Sequence, residues 1–422
     1  MANIVDFGAI GDDKADNTEI IQNLIDSKKS IYIPKGIFRV TKLIIDNKNI
    51  KIRGRGTLKC NSKLYNNLSF IYIDSPATID GITIDGNKKT RQAIEINSQN
   101  VAVKNCEIKN VYALNSEDSA IGLATYKGKV TIQNCHFHHI YAEPNNKLSD
   151  SAGASRAIIV GEYDQEDIED LTIIKDCNFY LIQGEEGDCI QSEAKSSKTV
   201  KALLIENCKF NDFSRRAIKL SASNATIKGC TITNHSNYKN LFSAVSAFGS
   251  NVKIVDNTID TYYADGIELG NDDVDIVVSD YLIKNNTILN YKEPNDGNES
   301  YGIIAMNIVD CSIVDNKIYR RSKENAAINI KGCKKVFIYN NSIFGGNKLA
   351  IEINSSNYSA TKDLIVENNF LKDSKAKYFI VAEHINSAIF KNNRYKTVNK
   401  NSEVIYTGKK SKNITLLNNT KI

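Results

Sequence analysis

The chain contains no tryptophan, two methionines, four prolines and five histidines in 422 residues. Proline cannot donate to a strand ladder, so its scarcity suits a chain that is mostly sheet. No apolar run approaches the roughly 18 residues of a membrane span, and no membrane role is expected. Met1–Gly8 lacks a basic segment followed by an apolar one, so no secretory leader is read and synthesis in the cytoplasm is expected. Charge of one sign is scarce too: the net value is +5, with lysines scattered through turns and strand faces. They read as solvated surface, not as a nucleic-acid site. Close cysteine pairs are also missing. The nine cysteines include no CxxC, which argues against a disulfide framework and against a metal site. No metal and no cofactor are expected.

What is abundant is repetition. The stretch Leu203–Ser223 holds two short apolar runs, Leu203–Phe210 and Arg216–Ser221, joined by a polar corner. Each alternates with period two and is too short for a helix, so both read as strands. The first type recurs as VAVKNCEI from Val101, VTIQNCHF from Val130, VKIVDNTI from Val252 and VFIYNNSI from Val336. The second recurs as QAIEIN from Gln92, RAIIVG from Arg156, DGIELG from Asp265 and LAIEIN from Leu349. The period is roughly 28 residues over about 12 turns, which predicts a parallel β-helix solenoid. Leucine-rich repeats do not fit, because leucine is not periodic and helical runs are absent. Asn after each first-type strand predicts an amide ladder along the axis. Cys106, Cys135, Cys177, Cys208 and Cys230 share one repeat position, and predict a stack of buried free thiols formed in a reducing cytosol.

Residues 1–45 differ and read as a cap. Asp16 or Asn17 precedes Ile20, Ile21, Leu24 and Ile25, which predicts a capped amphipathic helix closing the open end of the strand stack. Residues 46–422 read as the solenoid. Asp6, Phe7, Gly8, Ala9, Gly11, Asp12, Asp16, Thr18, Ile21 and Gln22 match the pattern D-F-G-A-x-G-D-G-x-x-D-D-T-x-A-I-Q, departing at Asp13, Asn17 and Ile20. This opening resembles the right-handed β-helix superfamily of pectate lyases, polygalacturonases and phage tailspike depolymerases. The resemblance implies an all-β fold, a single-stranded right-handed parallel β-helix of about 12 coils with an N-terminal α-helical cap. It also implies a polysaccharide substrate, a homotrimer, and a protein associated with a phage virion or acting at a bacterial surface. The last strand is of the first type, so a further segment or another chain is expected to cover its edge.

By strand parity, Ile218 and Leu220 point inward and Lys219 outward. The same parity places Glu95, Gly122, Ile159, Gln191, Glu193, Lys219, Ser246 and Glu268 in one outward column, with coils about 4.8 Å apart. Asp188, Arg215, Arg216 and Asp265 stand at the strand entrances. Glycoside hydrolysis needs two carboxyl groups about 5–5.5 Å apart for retention or about 6.5–9.5 Å for inversion. Glu193 and Glu268, roughly 14 Å apart, do not pair. Asp188 with Glu193, Glu162 or Asp164 does, and so does Asp265 with Glu268. The expected catalytic residues are therefore Asp188, Glu193, Glu268 and Asp265. Lys219, Arg216, Arg215, Gln191 and Glu162 are expected substrate contacts, with Tyr163, Tyr262 and Tyr263 as stacking platforms. Gly187–Ile190 resembles the D-D-C-I strand of polygalacturonases with Gly187 in the place of the first Asp, and Arg216–Lys219 resembles their R-I-K with one extra residue. Their N-T-D and G-H-G strands have no counterpart.

The expected function is depolymerisation of a bacterial capsular or other acidic polysaccharide by a glycoside hydrolase. The alternatives are a lyase using Lys219 or Arg216 as base, and a non-catalytic adhesin. His136, His138 and His139 read as a polar turn, and Asn271–Asp273 with Asp275 as a surface loop.

Overall fold

Alternating side chains and left-handed corners together build the architecture. In the computed structural model the chain is an all-β parallel solenoid whose coils feed three parallel sheets. The structure describes all residues except 65–68, 115–118, 144–152, 162–170, 194–199, 237–240, 262–264, 272–275, 291–299, 321–325, 346–348, 356–357, 375 and 398–399. Two units are distinguished. One comprises Met1–Lys195 and Val200–Lys219, the other Ser196–Thr199 and Leu220–Ile422.

In the first unit, Val101–Lys104 lies in the first sheet, Glu107–Ala113 in the second and Ser119–Thr125 in the third. What reads in sequence as one first-type strand is thus two strands meeting at a corner. The corner residue is left-handed: Asn105 (φ 53°), Asn134 (φ 51°), Asp176 (φ 55°) and Asn207 (φ 53°). Asn and Asp reach this conformation at lower cost than other side chains, which explains their recurrence. Corner amides stack on the outside, Asn134 Nδ2 donating to Asn105 Oδ1 at 2.8 Å. One residue later the chain points inward, and Cys106, Cys135, Cys177 and Cys208 are all buried. Phe137, Phe179 and Phe210 stack beside them at 5.3 and 4.8 Å between ring centroids. Each such buried side chain stabilises the coil by about 1.5–3 kcal/mol.

The second unit is built the same way, with Asp256, Asn285, Asp315 and Asn340 at the corners. Here the inward position carries asparagine. Asn286 donates its backbone N–H to Asn316 Oδ1 at 2.9 Å, and its amide to the same oxygen at 3.0 Å and to Ile254 O at 2.8 Å. Asn257, Asn316, Asn341, Asn369 and Asn393 repeat this pattern. The amide ladder expected from sequence is therefore two ladders, one exposed at the corners and one buried beside them.

All nine cysteines are buried and free. Native protein mixed with a thiol reagent should show no fast reaction, and nine thiols should appear on denaturation. Rapid labelling of the native state would contradict the packing.

Among the described residues the one α-helix is Thr18–Asp26, with Ile21, Leu24 and Ile25 buried. Its first N–H is capped by Asp16, whose carboxylate accepts from Thr18 N at 2.9 Å. Asn17, buried, instead pins the preceding loop by accepting from Ile10 N at 2.7 Å and donating to Ile10 O at 3.1 Å.

Candidate functional site

The third sheet carries the candidate chemistry, and a local irregularity sets its geometry. Its middle strands contain a small residue followed by an aliphatic one, both buried: Ala157-Ile158, Cys189-Ile190, Ala217-Ile218, Ala244-Val245 and Gly266-Ile267. The small position turns the corner from the second sheet and has no room to spare. A Cβ on Gly122 would lie 2.6 Å from Ala157 O and 2.7 Å from Ile140 Cδ1. Two consecutive inward residues leave the residues on either side, three apart in sequence, on the same outer face. Ser243 and Ser246 demonstrate this, their hydroxyls 2.5 Å apart.

Strict alternation therefore misses a second outward column. In the first unit one column runs Glu95, Ala124, Ile159, Gln191. Gly122 is not in it, correcting the parity reading: it occupies the small inward position. The other column runs Gln92, Ile121, Arg156, Asp188, so the Asp188 placed by sequence at a strand entrance belongs to it.

Asp188 is completely buried, and its carboxylate oxygens lie 3.7 Å from Arg156 Nη2 and 3.9 Å from Arg216 Nη1. Neither oxygen has a hydrogen bond among the described residues. Arg156, itself buried, pairs with Glu186 at 3.1 Å and donates to Gln191 Oε1, while Arg215 pairs with Glu186. Lys219 sits in this field half-buried. Burial lowers its proton affinity; Asp188 opposes the shift, and the Arg216 and Arg156 guanidinium groups add to it. Glu193 opens the segment after the Asp188 strand, its N–H donating to Val160 O at 3.0 Å. Gly187 cannot be the first Asp of a D-D-C-I strand in this backbone, because a Cβ there would lie 2.1 Å from Ser214 Oγ and 2.5 Å from Ile182 O.

In the second unit the columns are Ser243–Asp265 and Ser246–Glu268–Ile304–Asn329–Glu352. One Glu268 oxygen accepts from Ser246 at 2.5 Å and from Ser243 at 2.9 Å. Asp265 accepts from Tyr301 N at 2.5 Å. Beside them Tyr301, Ile304, Met306 and Ala326 form an apolar cluster. Desolvation pushes the Asp265 carboxyl up to about 8, against the Tyr301 N–H; the Glu268 charge adds to the rise, and Arg320 and Lys331 oppose it. Asp265 and Glu268 thus share one face of the strand, with Asp265 shifted toward its protonated form.

Arg156, Glu186 and Ser243 line the candidate site and were passed over by sequence reasoning; Arg156 and Ser243 stand three positions before the outward Ile159 and Ser246. Glu162, Tyr163, Tyr262 and Tyr263 lie outside the described residues, as do Asp164, Asp272, Asp273 and Asp275. His138 stacks on Tyr180 at 4.6 Å and meets Glu107 at 2.9 Å. Among the described residues no cluster suits a metal ion, and no helix is long and apolar enough to cross a membrane.

Known proteins share parts of this chain. A tail spike protein of Escherichia virus K5 is 35% identical over 86 residues, which is 20% of this chain and 13% of that protein. The chain thus matches about an eighth of that relative's length. The tailspike of E. coli bacteriophage HK620, solved in complex with a pentasaccharide, superposes with a TM-score of 0.56 at 11% identity, covering 99% of this chain and 78% of that one. PfbA, a surface adhesin of Streptococcus pneumoniae, gives 0.51 at 16% identity over 96% and 93% of the two chains. At these identities the likeness is one of fold. Residues 243–420 match the right-handed β-helix region, so the solenoid is right-handed. Residues 1–268 match the rhamnogalacturonase A/epimerase, pectate lyase-like family, and over more than half its length the chain belongs to that family.

Proposed function

We propose that the protein acts on a polysaccharide, and that it is a glycoside hydrolase using Asp265 and Glu268. The observation that carries this reading is the Asp265 carboxyl, which holds its proton to about pH 8 beside Glu268 on one strand face. Asp265 donates a proton to the leaving oxygen, and Glu268, aligned by Ser243 and Ser246, serves as base or nucleophile. Arg320 and Lys331, whose charges act on Asp265, favour an acidic sugar such as those of bacterial capsules. In the first unit Arg215, Arg216, Lys219 and Gln191 are proposed sugar contacts. Asp188, closed from solvent, holds Arg156 and Arg216 in place as a positioning residue, and Glu193 is left as the carboxylate at the edge of that cluster. The match to a tail spike protein supports association with a virion, and the assembly proposed for it is a homotrimer.

Lys219 supports a second reading. A lysine of lowered proton affinity among guanidinium groups could abstract the proton beside a uronate carboxylate, giving a lyase. Purified protein screened against capsular and plant polysaccharides separates the possibilities. Hydrolysis gives new reducing ends without an unsaturated sugar, whereas elimination gives an unsaturated product seen by its ultraviolet absorbance. Binding with neither product would leave an adhesin. Under the hydrolase reading Lys219→Gln should keep the product type and raise KM by about tenfold, a loss of one charged contact. A fall in kcat of about 1,000-fold with substrate binding unchanged would favour the lyase.

A further inference from the structure

We propose that His138 and His139 form a proton-operated latch in the second sheet, which keeps its contact on taking up one proton and opens on the second. The stretch that reads in sequence as a polar turn is a strand, His136–Ala142, kinked at the left-handed His139 (φ 53°). The strands paired with it kink at the same place, at Asn110 on one side and Leu181 on the other. The kink brings the two rings together, with the Nδ1 atoms of His138 and His139 2.6 Å apart.

Two ring nitrogens at that distance need one proton between them, one ring donating and the other accepting. The far side of His138 decides which. Its Nε2 lies 2.9 Å from Glu107 Oε1, and an ionised carboxylate only accepts, so Nε2 carries the hydrogen. Glu107 stays ionised: against desolvation, Lys109, His138 and Thr83 hold it down at about 2. In the neutral pair His138 Nδ1 is therefore the acceptor and His139 Nδ1–H the donor. A first added proton goes to Nε2 of His139, the exposed ring, and the contact survives because the direction of donation is unchanged. A second must go to His138 Nδ1. There it meets the His139 Nδ1–H, donor faces donor, and the rings must part.

The surroundings make that second proton hard to add. His138 is buried, and its ring lies parallel to that of Tyr180 at 4.6 Å, while Tyr180 meets the edge of His139 at 5.9 Å. Burial lowers the proton affinity of His138; the Glu107 hydrogen bond and charge oppose this, and His139 and Lys109 add to it. Glu107 and Lys109 are the charges presented by strand Glu107–Ala113. Strand Asn178–Gln183 presents Tyr180, with Asn178 against His136 at 3.2 Å. Lys209 and Asp212 belong to the coil beyond, Lys209–Phe213. Past the kink lie Tyr112, Tyr141 and Glu143, whose carboxylate accepts from the Tyr112 hydroxyl. The folded chain thus binds the second proton more weakly than the unfolded chain does. The cost is absent well above the ordinary histidine value of 6.5 and grows as pH falls through it. Neutral pH closes this coil and acid loosens it.

The latch uses no residue of the proposed chemistry, and its test needs no substrate. The full chain, labelled with nitrogen-15 in its five histidines, is followed by NMR from about pH 8 to about pH 4.5, with signals assigned by single replacements. His138 and His139 should both report two steps at least about one pH unit apart, the lower one below the ordinary value. Neutral His138 should show the Nε2–H tautomer. Protection of amides in His136–Ala142 against hydrogen exchange should fall about tenfold across the lower step. Asn tolerates the left-handed kink and its amide can turn to accept, so H139N should raise the His138 midpoint by at least about half a unit and abolish the loss of protection. E107Q should lower that midpoint. Independent single steps, an Nδ1–H tautomer for neutral His138, or a His138 curve indifferent to both variants would overturn the proposal. So would protection unchanged through the lower step, or global unfolding at the same pH seen by circular dichroism.

Discussion

Replacing Asp265 with Asn should lower kcat about 1,000-fold on the polysaccharide that the protein cleaves, within the range for loss of a general acid. Glu268→Gln should fall by a similar factor, and the double variant little further, because the two act as one unit. Activity should have an alkaline limb near pH 8, where Asp265 gives up the proton it must donate. The same residue should cost stability. Its folded value, about 8, lies above the 3.8 of an ordinary aspartate, so the native state binds this proton more tightly than the unfolded chain does. The resulting stabilisation is complete below about pH 4 and is lost as pH climbs toward 8. At pH 9 the native chain must hold a charge in a desolvated place, which D265N need not. The inactive variant should therefore melt higher than wild type at pH 9, and the difference should shrink toward pH 5. An alkaline limb well above pH 9, or a D265N protein with full activity, would remove Asp265 from the chemistry.

Asn316→Ala should destabilise the second unit by about 3 kcal/mol, read as a lowered denaturant midpoint. The reason lies in what is left behind. Asn316 Oδ1 accepts both the backbone N–H and the side-chain amide of Asn286, at 2.9 and 3.0 Å, and both atoms are buried. Truncation leaves two donors without an acceptor where water cannot reach, in addition to the amide contact with Ile283 O at 2.9 Å that disappears. The exposed ladder supplies the control. Asn105→Gly keeps the left-handed corner and removes an amide that solvent can replace, so it should cost less than about 1 kcal/mol. Equal costs at the two sites would show that burial does not set the value of these ladders.

The fold was legible because a solenoid writes each coil into a local pattern. Val103 and Ile132, or Ile108 and Phe137, alternate with polar neighbours within a few residues, and the structure stacks them in register. Five of the nine thiols were legible as buried for the same reason: they share one repeat position. The candidate site was only half legible. Parity found Gln191, Lys219 and Glu268, but placed Gly122 outward and passed over Arg156, because a period of two allows no pair of consecutive inward residues. That pair does have a sequence trace, a small residue before an aliphatic one in RAIIVG, DCIQSE and DGIELG. Its meaning comes from the corner, where the chain turns with no space for a larger side chain.

The amino-acid sequence by itself determined that this chain coils, where its strands and corners fall, and which side chains fill the interior, since these follow from alternation and from the left-handed tolerance of Asn and Asp. Only the tertiary structure decided which distant residues share a face: Asp188 sealed between Arg156 and Arg216, and Asp265 raised beside Glu268. Proton affinity and charge recognition depend on neighbours across coils and on exclusion of water, and neither is a property of any one stretch of the chain.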